Sequence, residues 1–143
     1  MLHTDKAVDL LKVHEGYRQY PYDCTEGLNT IGYGRNLESR GLTEIEASYL
    51  LHCDVKLAES ELMDQYEYYW SLSPNRKVVL INMMVNLGST RLRGFKNMHR
   101  AIEDRDYVKA SLEMLDSRWA DQVGQRALTL SEIMLNNKIE VIK

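Results

Sequence analysis

Glu15, Cys24 and Thr30 stand at fixed intervals in HEGYRQYPYDCTEGLNTIGYGR, the stretch from His14 to Arg35. Eight residues separate the first two and five separate the second two. A carboxylic acid, a thiol and a hydroxyl can between them deliver a proton and activate or hold a water. Glu15 is placed where an amphipathic helix should end, just before Gly16. There it feels the negative pole of the helix, and partial burial would disfavour its ionised form, so both effects raise its pKa towards the range of a general acid. A free thiol with a pKa near 8.5 is only about 3% thiolate at pH 7. A nearby Glu15 carboxylate would suppress the Cys24 thiolate further. The Thr30 hydroxyl can both donate and accept, which suits it to fixing a water.

Taken singly, each of these residues has an ordinary explanation. A glutamate near a helix end usually faces solvent, a free cysteine is usually a small buried hydrophobe, and a threonine is a common strand residue. The buried-hydrophobe reading is the one given to Cys53, inside a long helical pattern. Asp23 lies beside Cys24, but alternation along a strand turns it to the opposite face. The sequence alone therefore implies an acid and an activating group near a hairpin.

The elements that must position them follow from local signals. Thr4 is the expected N-cap of the first helix, with Asp5 in its first turn. Ala7, Val8, Leu10, Leu11 and His14 recur at helical spacing, and Gly16 supplies the stop. Tyr17 to Asn36 reads as short strands around a Thr25-Glu26-Gly27 turn, with Pro21 confining its strand to an edge or a bulge. Gly27, Gly32 and Gly34 permit tight turns and close backbone approach by a ligand. Thr43-Glu44-Ile45-Glu46 is a capping box that opens a helix over about 44–67, roughly 35 Å long. Ser73-Pro74 starts an apolar helix that ends at Gly88 and should form the buried centre of the second half. Helices are expected near 95–103, 107–115 (capped by Asp106), 117–122 and 125–135. The final NNKIEVIK carries no clear signal and is expected to fray.

Composition bounds the rest. The chain has 143 residues, 44% hydrophobic and 27% charged, as an ordinary globular protein of one domain does. Two cysteines make no disulfide framework, and without CxxC or HExxH no metal or other cofactor is expected. A net charge of −3 argues against nucleic acid as the main partner. The charge is uneven, however: residues 1–70 carry six Lys/Arg against thirteen Asp/Glu, and residues 71–143 carry twelve against eight. That pattern suits an anionic polymer on the second half, although a solvated face accounts for most such charges. The basic group Arg91, Arg93, Lys96, His99 and Arg100 is open to the same two readings. No window reaches the apolar length of a membrane span, and MLHTDKAVDLLKVHEG is not a signal peptide. The expectation is a protein made soluble in the cytoplasm, with no stable membrane association.

The Glu–x8–Cys–x5–Thr spacing, with TEG before the threonine and IGYG after it, resembles the phage-type lysozymes of glycoside hydrolase family 24. Cys24 stands where better-known members carry aspartate, and cysteine is a known variant there. LINMMVNLGSTRLRGFKNMHRAI and SRWADQVGQRA resemble later family segments in the same order, so the likeness covers most of the chain. It implies an α+β, mostly helical, two-lobed fold. The small lobe would span about 14–42 and contain few strands, since Leu37 to Leu42 is shorter than in the most familiar phage member. A long helix over 44–67 would join it to a helical lobe over 68–143, with the N-terminal helix packed on that lobe.

The implied activity is muramidase, hydrolysing the β-1,4 bond between N-acetylmuramic acid and N-acetylglucosamine in peptidoglycan, as a monomeric bacteriophage endolysin. A holin-type pore would release it from the host cytoplasm to the wall in the periplasm. Glu15 would be the acid and Thr30 would position water. Three roles are open to Cys24: base for an attacking water, nucleophile forming a thioglycosyl intermediate, or polar lining of the water site. Matching segments add Tyr33, Arg35, Asn82, Asn86, Arg118, Trp119 and Gln122 as substrate-binding residues, with a buried structural role equally open to Trp119. The resemblance also brings Arg126 to Glu15, lowering its pKa. Arg35 departs from the histidine of the familiar member. A lytic transglycosylase, using one glutamate, and an inactive wall-binding domain are the competing readings. A cysteine peptidase is a further one, for which His14, His52 and His99 are available but not tied to Cys24 by any motif.

Overall fold

A computed structural model describes residues 2–140. The chain divides into two compact units, Met1–Leu50 and Leu51–Lys143. The first contains helix α1 (His3–Glu15) and strands β1 (Arg18–Asp23), β2 (Asn29–Gly32) and β3 (Arg35–Asn36), which form one antiparallel sheet in the order β1-β2-β3. Helix α2 (Glu44–Gln65) begins in this unit and continues into the second. The second unit holds α3 (Pro74–Leu87), α4 (Ser89–Arg93), α5 (Lys96–Glu103), α6 (Tyr107–Leu115), α7 (Arg118–Val123) and α8 (Gln125–Asn136).

Helix α1 starts earlier than the Thr4 cap predicts. Asp5 reaches back to accept the backbone N–H of Leu2 at 3.3 Å, so Leu2 is the N-cap and Thr4 lies inside the first turn. Gly16, at φ +70°, ends it as expected. The helix groups with the first unit, and its Lys12 ammonium lies 5.5 Å over the Tyr33 ring. Pro21 sits on an edge strand within the irregular stretch between Arg18 and Tyr22, the position a residue without an N–H can occupy.

The Thr43–Glu46 capping box forms in both directions: Glu46 N–H donates to Thr43 Oγ1 at 3.2 Å and Thr43 N–H to Glu46 Oε1 at 2.9 Å. The second Glu46 oxygen pairs with Arg35, whose other amine donates to the Gly41 carbonyl at 3.1 Å. One carboxylate thus starts α2 and holds β3 to it.

In the second unit Ser73 caps α3 by accepting from Arg76 N–H, with Pro74 at the first helical position, and Asp106 caps α6 by accepting from Lys109 N–H. The helix α3 buries Val79, Leu80, Met83, Met84 and Leu87, while Val78 and Val85 stay exposed, so its apolar girdle is not covered all round. It packs against α8, which also packs on α6. Arg76 ties α3 to the end of α8 by donating to the Met134 carbonyl at 2.7 Å. A 3₁₀ turn over Glu67–Ser71 and the five-residue α4 carry no long periodicity, and the sequence reading passes over both. Asn137 (φ +59°) ends α8; of the terminal segment expected to fray, residues 141–143 lie outside the described residues.

His99 is buried, not part of a surface basic group. A carbonyl can only accept, so the 2.8 Å contact of Nε2 with Leu92 O puts the ring proton on Nε2. Nδ1 then accepts from the Tyr68 hydroxyl at 2.7 Å, and the Tyr66 ring stacks on the imidazole at 4.3 Å. Burial lowers the pKa of His99, against smaller raising effects from the Leu92 bond and Glu103.

The Arg35 bond, followed by the Thr43 backbone bond, lowers the Glu46 carboxyl to about 2. A depressed carboxylate stabilises the fold above its unfolded pKa and loses that contribution as pH falls through its folded value. Hydrogen exchange of the β2–β3 amides should therefore be slower in wild type than in Glu46→Gln above about pH 5. The difference should shrink as pH falls from there towards 2. A difference independent of pH would contradict the ion-pair assignment.

Candidate active site

Register fixes how the hairpin presents its side chains. Tyr22 pairs with Thr30 and Asp23 with Asn29, and the turn closes with Cys24 N–H donating to Leu28 O at 2.9 Å and Gly27 N–H to Cys24 O at 2.8 Å. Paired residues share a face and successive ones alternate. Cys24 and Thr30 therefore lie on one face of the ribbon, and Asp23 on the other, where it is exposed.

Thr30 is 3% exposed, and its hydroxyl lies 2.9 Å from the Leu28 carbonyl. The half-buried Cys24 thiol has a lowered pKa. The backbone N–H of Glu26 contributes most, then that of Leu28; desolvation opposes them, and a bond from the Thr30 hydroxyl adds to the lowering. The carboxylate that resists ionisation is that of Glu26, where the sequence pointed to Glu15. A tight turn aiming two amide dipoles at one sulfur raises the thiolate population above that of a free cysteine.

Glu15 closes α1 and is exposed, so the partial burial expected of it is not found. Its carboxylate lies over Gly34, in the turn between β2 and β3: a Cβ built on Gly34 would meet Glu15 Cδ at 2.8 Å. Glu15, Cys24 and Thr30 all belong to the first compact unit.

The other sequence-derived positions are largely engaged with one another. In the first unit Tyr33 is exposed and its ring packs 5.7 Å from that of Tyr17, while Arg35 is committed to Glu46 and Gly41. In the second, Asn82 Oδ1 accepts from Arg126 Nε at 2.9 Å, and Asn86 Oδ1 from Trp119 Nε1 at 2.7 Å. Gln122 Oε1 accepts from Arg91 at 3.3 Å. Trp119 is 3% exposed and meets Phe95 edge-on at 6.0 Å. Arg118 is exposed and lines a cavity of about 680 Å³ with Arg91, Lys96, Glu113 and Asp116. Sequence reasoning missed the Glu26 and Leu28 amides, for which the TEG turn was the signal available, and named Gly34 without its contact to Glu15. Among the described residues no group of three or more His, Cys, Asp or Glu side chains is disposed to hold a metal ion.

A family model described as phage lysozyme matches residues 12–132. Probable T4-type lysozyme 2 of Dictyostelium discoideum is 26% identical, over 83% of this chain and 87% of the relative. Probable T4-type lysozyme 1 of the same organism is 25% identical, over 94% and 96%. The mostly helical α+β architecture with one small antiparallel sheet agrees with the match.

Alkylation of Cys24 by iodoacetamide, followed against pH with Cys53→Ala as background, should titrate below the free-thiol range. Thr30→Val should shift that titration upward and slow alkylation at pH 7 by about two- to five-fold. Equal rates with and without the hydroxyl would remove Thr30 from the thiol's environment.

Proposed function

The chain belongs to the phage lysozyme family and is a glycoside hydrolase, a lysozyme; from that premise we propose that it is a phage endolysin whose muramidase chemistry is carried by Glu15, Cys24 and Thr30. It hydrolyses the β-1,4 bond between N-acetylmuramic acid and N-acetylglucosamine in peptidoglycan. What supports this reading most is that the hairpin register puts Cys24 and Thr30 on one face, in the same compact unit as Glu15, which ends α1.

Glu15 gives its proton to the glycosidic oxygen as the bond from that oxygen to the anomeric carbon breaks. Water attacks the anomeric carbon from the opposite face, and its proton passes to the Cys24 thiolate. Thr30 turns its hydroxyl between the Leu28 carbonyl and the sulfur, keeping the thiolate aimed at the water. Tyr33, on the exposed side of the β2–β3 turn, offers an aromatic edge for a sugar. Asn82, Asn86 and Gln122 offer amides suited to N-acetyl groups and hydroxyls once their Arg126, Trp119 and Arg91 partners share them, and Arg118 adds a cation.

The biological setting is part of the same proposal. The protein is made in the host cytoplasm, works as a monomer and reaches the wall in the periplasm through a holin-type pore. Among the described residues no helix is long and apolar enough to cross a membrane, which suits release through another protein's pore.

Glu15→Gln should lower the clearing of purified peptidoglycan by at least about 10²-fold, the scale of a lost general acid. Cys24→Ser should lose at least about ten-fold, and Cys24→Asp should retain most activity. An inactive aspartate variant beside an active serine variant would contradict the base role. Mass analysis of the digest should show reducing ends; 1,6-anhydro ends would mean a transglycosylase, and equal, negligible turnover by wild type and Glu15→Gln would mean a wall-binding domain.

A further inference from the structure

The IGYG segment contains two glycines with nearly the same φ and very different surroundings. Gly32 has φ +70° and nothing within 4 Å of where a Cβ would sit. Gly34 has φ +73°, and the three atoms nearest its absent Cβ all belong to Glu15: Oε2 at 2.5 Å, Cδ at 2.8 Å and Cγ at 3.2 Å. Real side chains do not approach that closely, so the Glu15 side chain, from its Cγ to the carboxylate, occupies the volume that any other residue at 34 would need. The turn has little freedom to retreat, because the next residue, Arg35, is fastened to Glu46 and to the Gly41 carbonyl.

We propose that Gly34 is a positioning residue for Glu15: its bare Cα forms the seat on which the carboxylate lies, and the Arg35–Glu46 pair holds that seat in place. This rests on the reading of Glu15 as the proton donor. The role goes beyond the demand for glycine at positive φ, since Gly32 shares that demand while a Cβ there would meet nothing. A methyl group at 34 would push the carboxylate off its seat by an ångström or more, and displacement on that scale costs about 10²-fold in a proton transfer that depends on alignment.

The test is a double-mutant cycle read on soluble peptidoglycan oligomers. Gly34→Ala should lower kcat by about 10²-fold with KM nearly unchanged, whereas Gly32→Ala should lower kcat by no more than about five-fold. In the Glu15→Asp background, where the side chain is one methylene shorter, the added cost of Gly34→Ala should fall below about five-fold. A Gly34→Ala loss no larger than that of Gly32→Ala, or one equal in both backgrounds, would overturn the proposal. If Gly34→Ala does not fold, thermal unfolding decides. Recovery of a folded protein in Glu15→Ala/Gly34→Ala supports the contact, and failure in both backgrounds with a folded Gly32→Ala assigns the defect to backbone strain alone. Full activity of Glu15→Gln would instead remove the premise that Glu15 is the donor, an outcome the cycle distinguishes from a failure of the seat.

Discussion

The Glu46 carboxylate is the constraint on which the first unit depends. One oxygen accepts the Thr43 amide and begins α2; the other pairs with Arg35 and fixes β3. Among the described residues from 2 to 50, Thr30 alone is buried, so apolar burial contributes little here. Three short strands of six, four and two residues are marginal by themselves in water. What keeps them in register is a backbone ladder closed at one end by the Cys24–Leu28 turn and at the other by the Arg35 latch. Everything chemical in this unit hangs between those closures. The thiol sits on the first turn, the hydroxyl on the middle strand, and the carboxylate against the turn that the latch secures.

The second unit is held by a different balance. Leu62, Leu80, Met83, Leu92, Met98 and Met134 make a continuous methionine-rich core, and buried polar groups within it are satisfied in pairs. His99 bridges Leu92 and Tyr68, Trp119 uses Asn86, and Arg76 caps the end of α8. Among the described residues the exception is the Tyr66 hydroxyl, buried without a partner while its ring stacks on His99. The aromatic stack accounts for the ring's position and leaves the hydroxyl unpaired.

Much of the architecture was legible because it is written locally. Gly16, the Thr43–Glu46 box, Ser73-Pro74, Gly88 and Asp106 each act within a turn of chain, and each does in the fold what its type and spacing imply. The TEG turn and the Pro21 irregularity are of the same kind. Thr4 falls inside α1 because the helix begins at His3, with Asp5 accepting the Leu2 N–H. The pairings of Asn82 with Arg126, Asn86 with Trp119 and Gln122 with Arg91 join residues 44, 33 and 31 positions apart. No local pattern encodes such distances, so amides read as sugar ligands turn out already to have protein partners. Exposure of Glu15 and burial of His99 are likewise products of packing, which a single sequence does not reveal.

The thiol illustrates what lies between these cases. From residue type alone, a thiol at this position carries little charge at neutral pH. The turn raises that charge, because the Glu26 and Leu28 amides are held towards the sulfur by the same backbone bonds that close the hairpin. Thr30 completes the arrangement. The hydroxyl donates to the Leu28 carbonyl, and its proximity to the sulfur favours the ionised thiol. A β-branched residue with a hydroxyl at this strand position thus suits the thiol as well as the strand. Serine could supply the proton but not the χ1 stiffness, and valine the stiffness but not the proton.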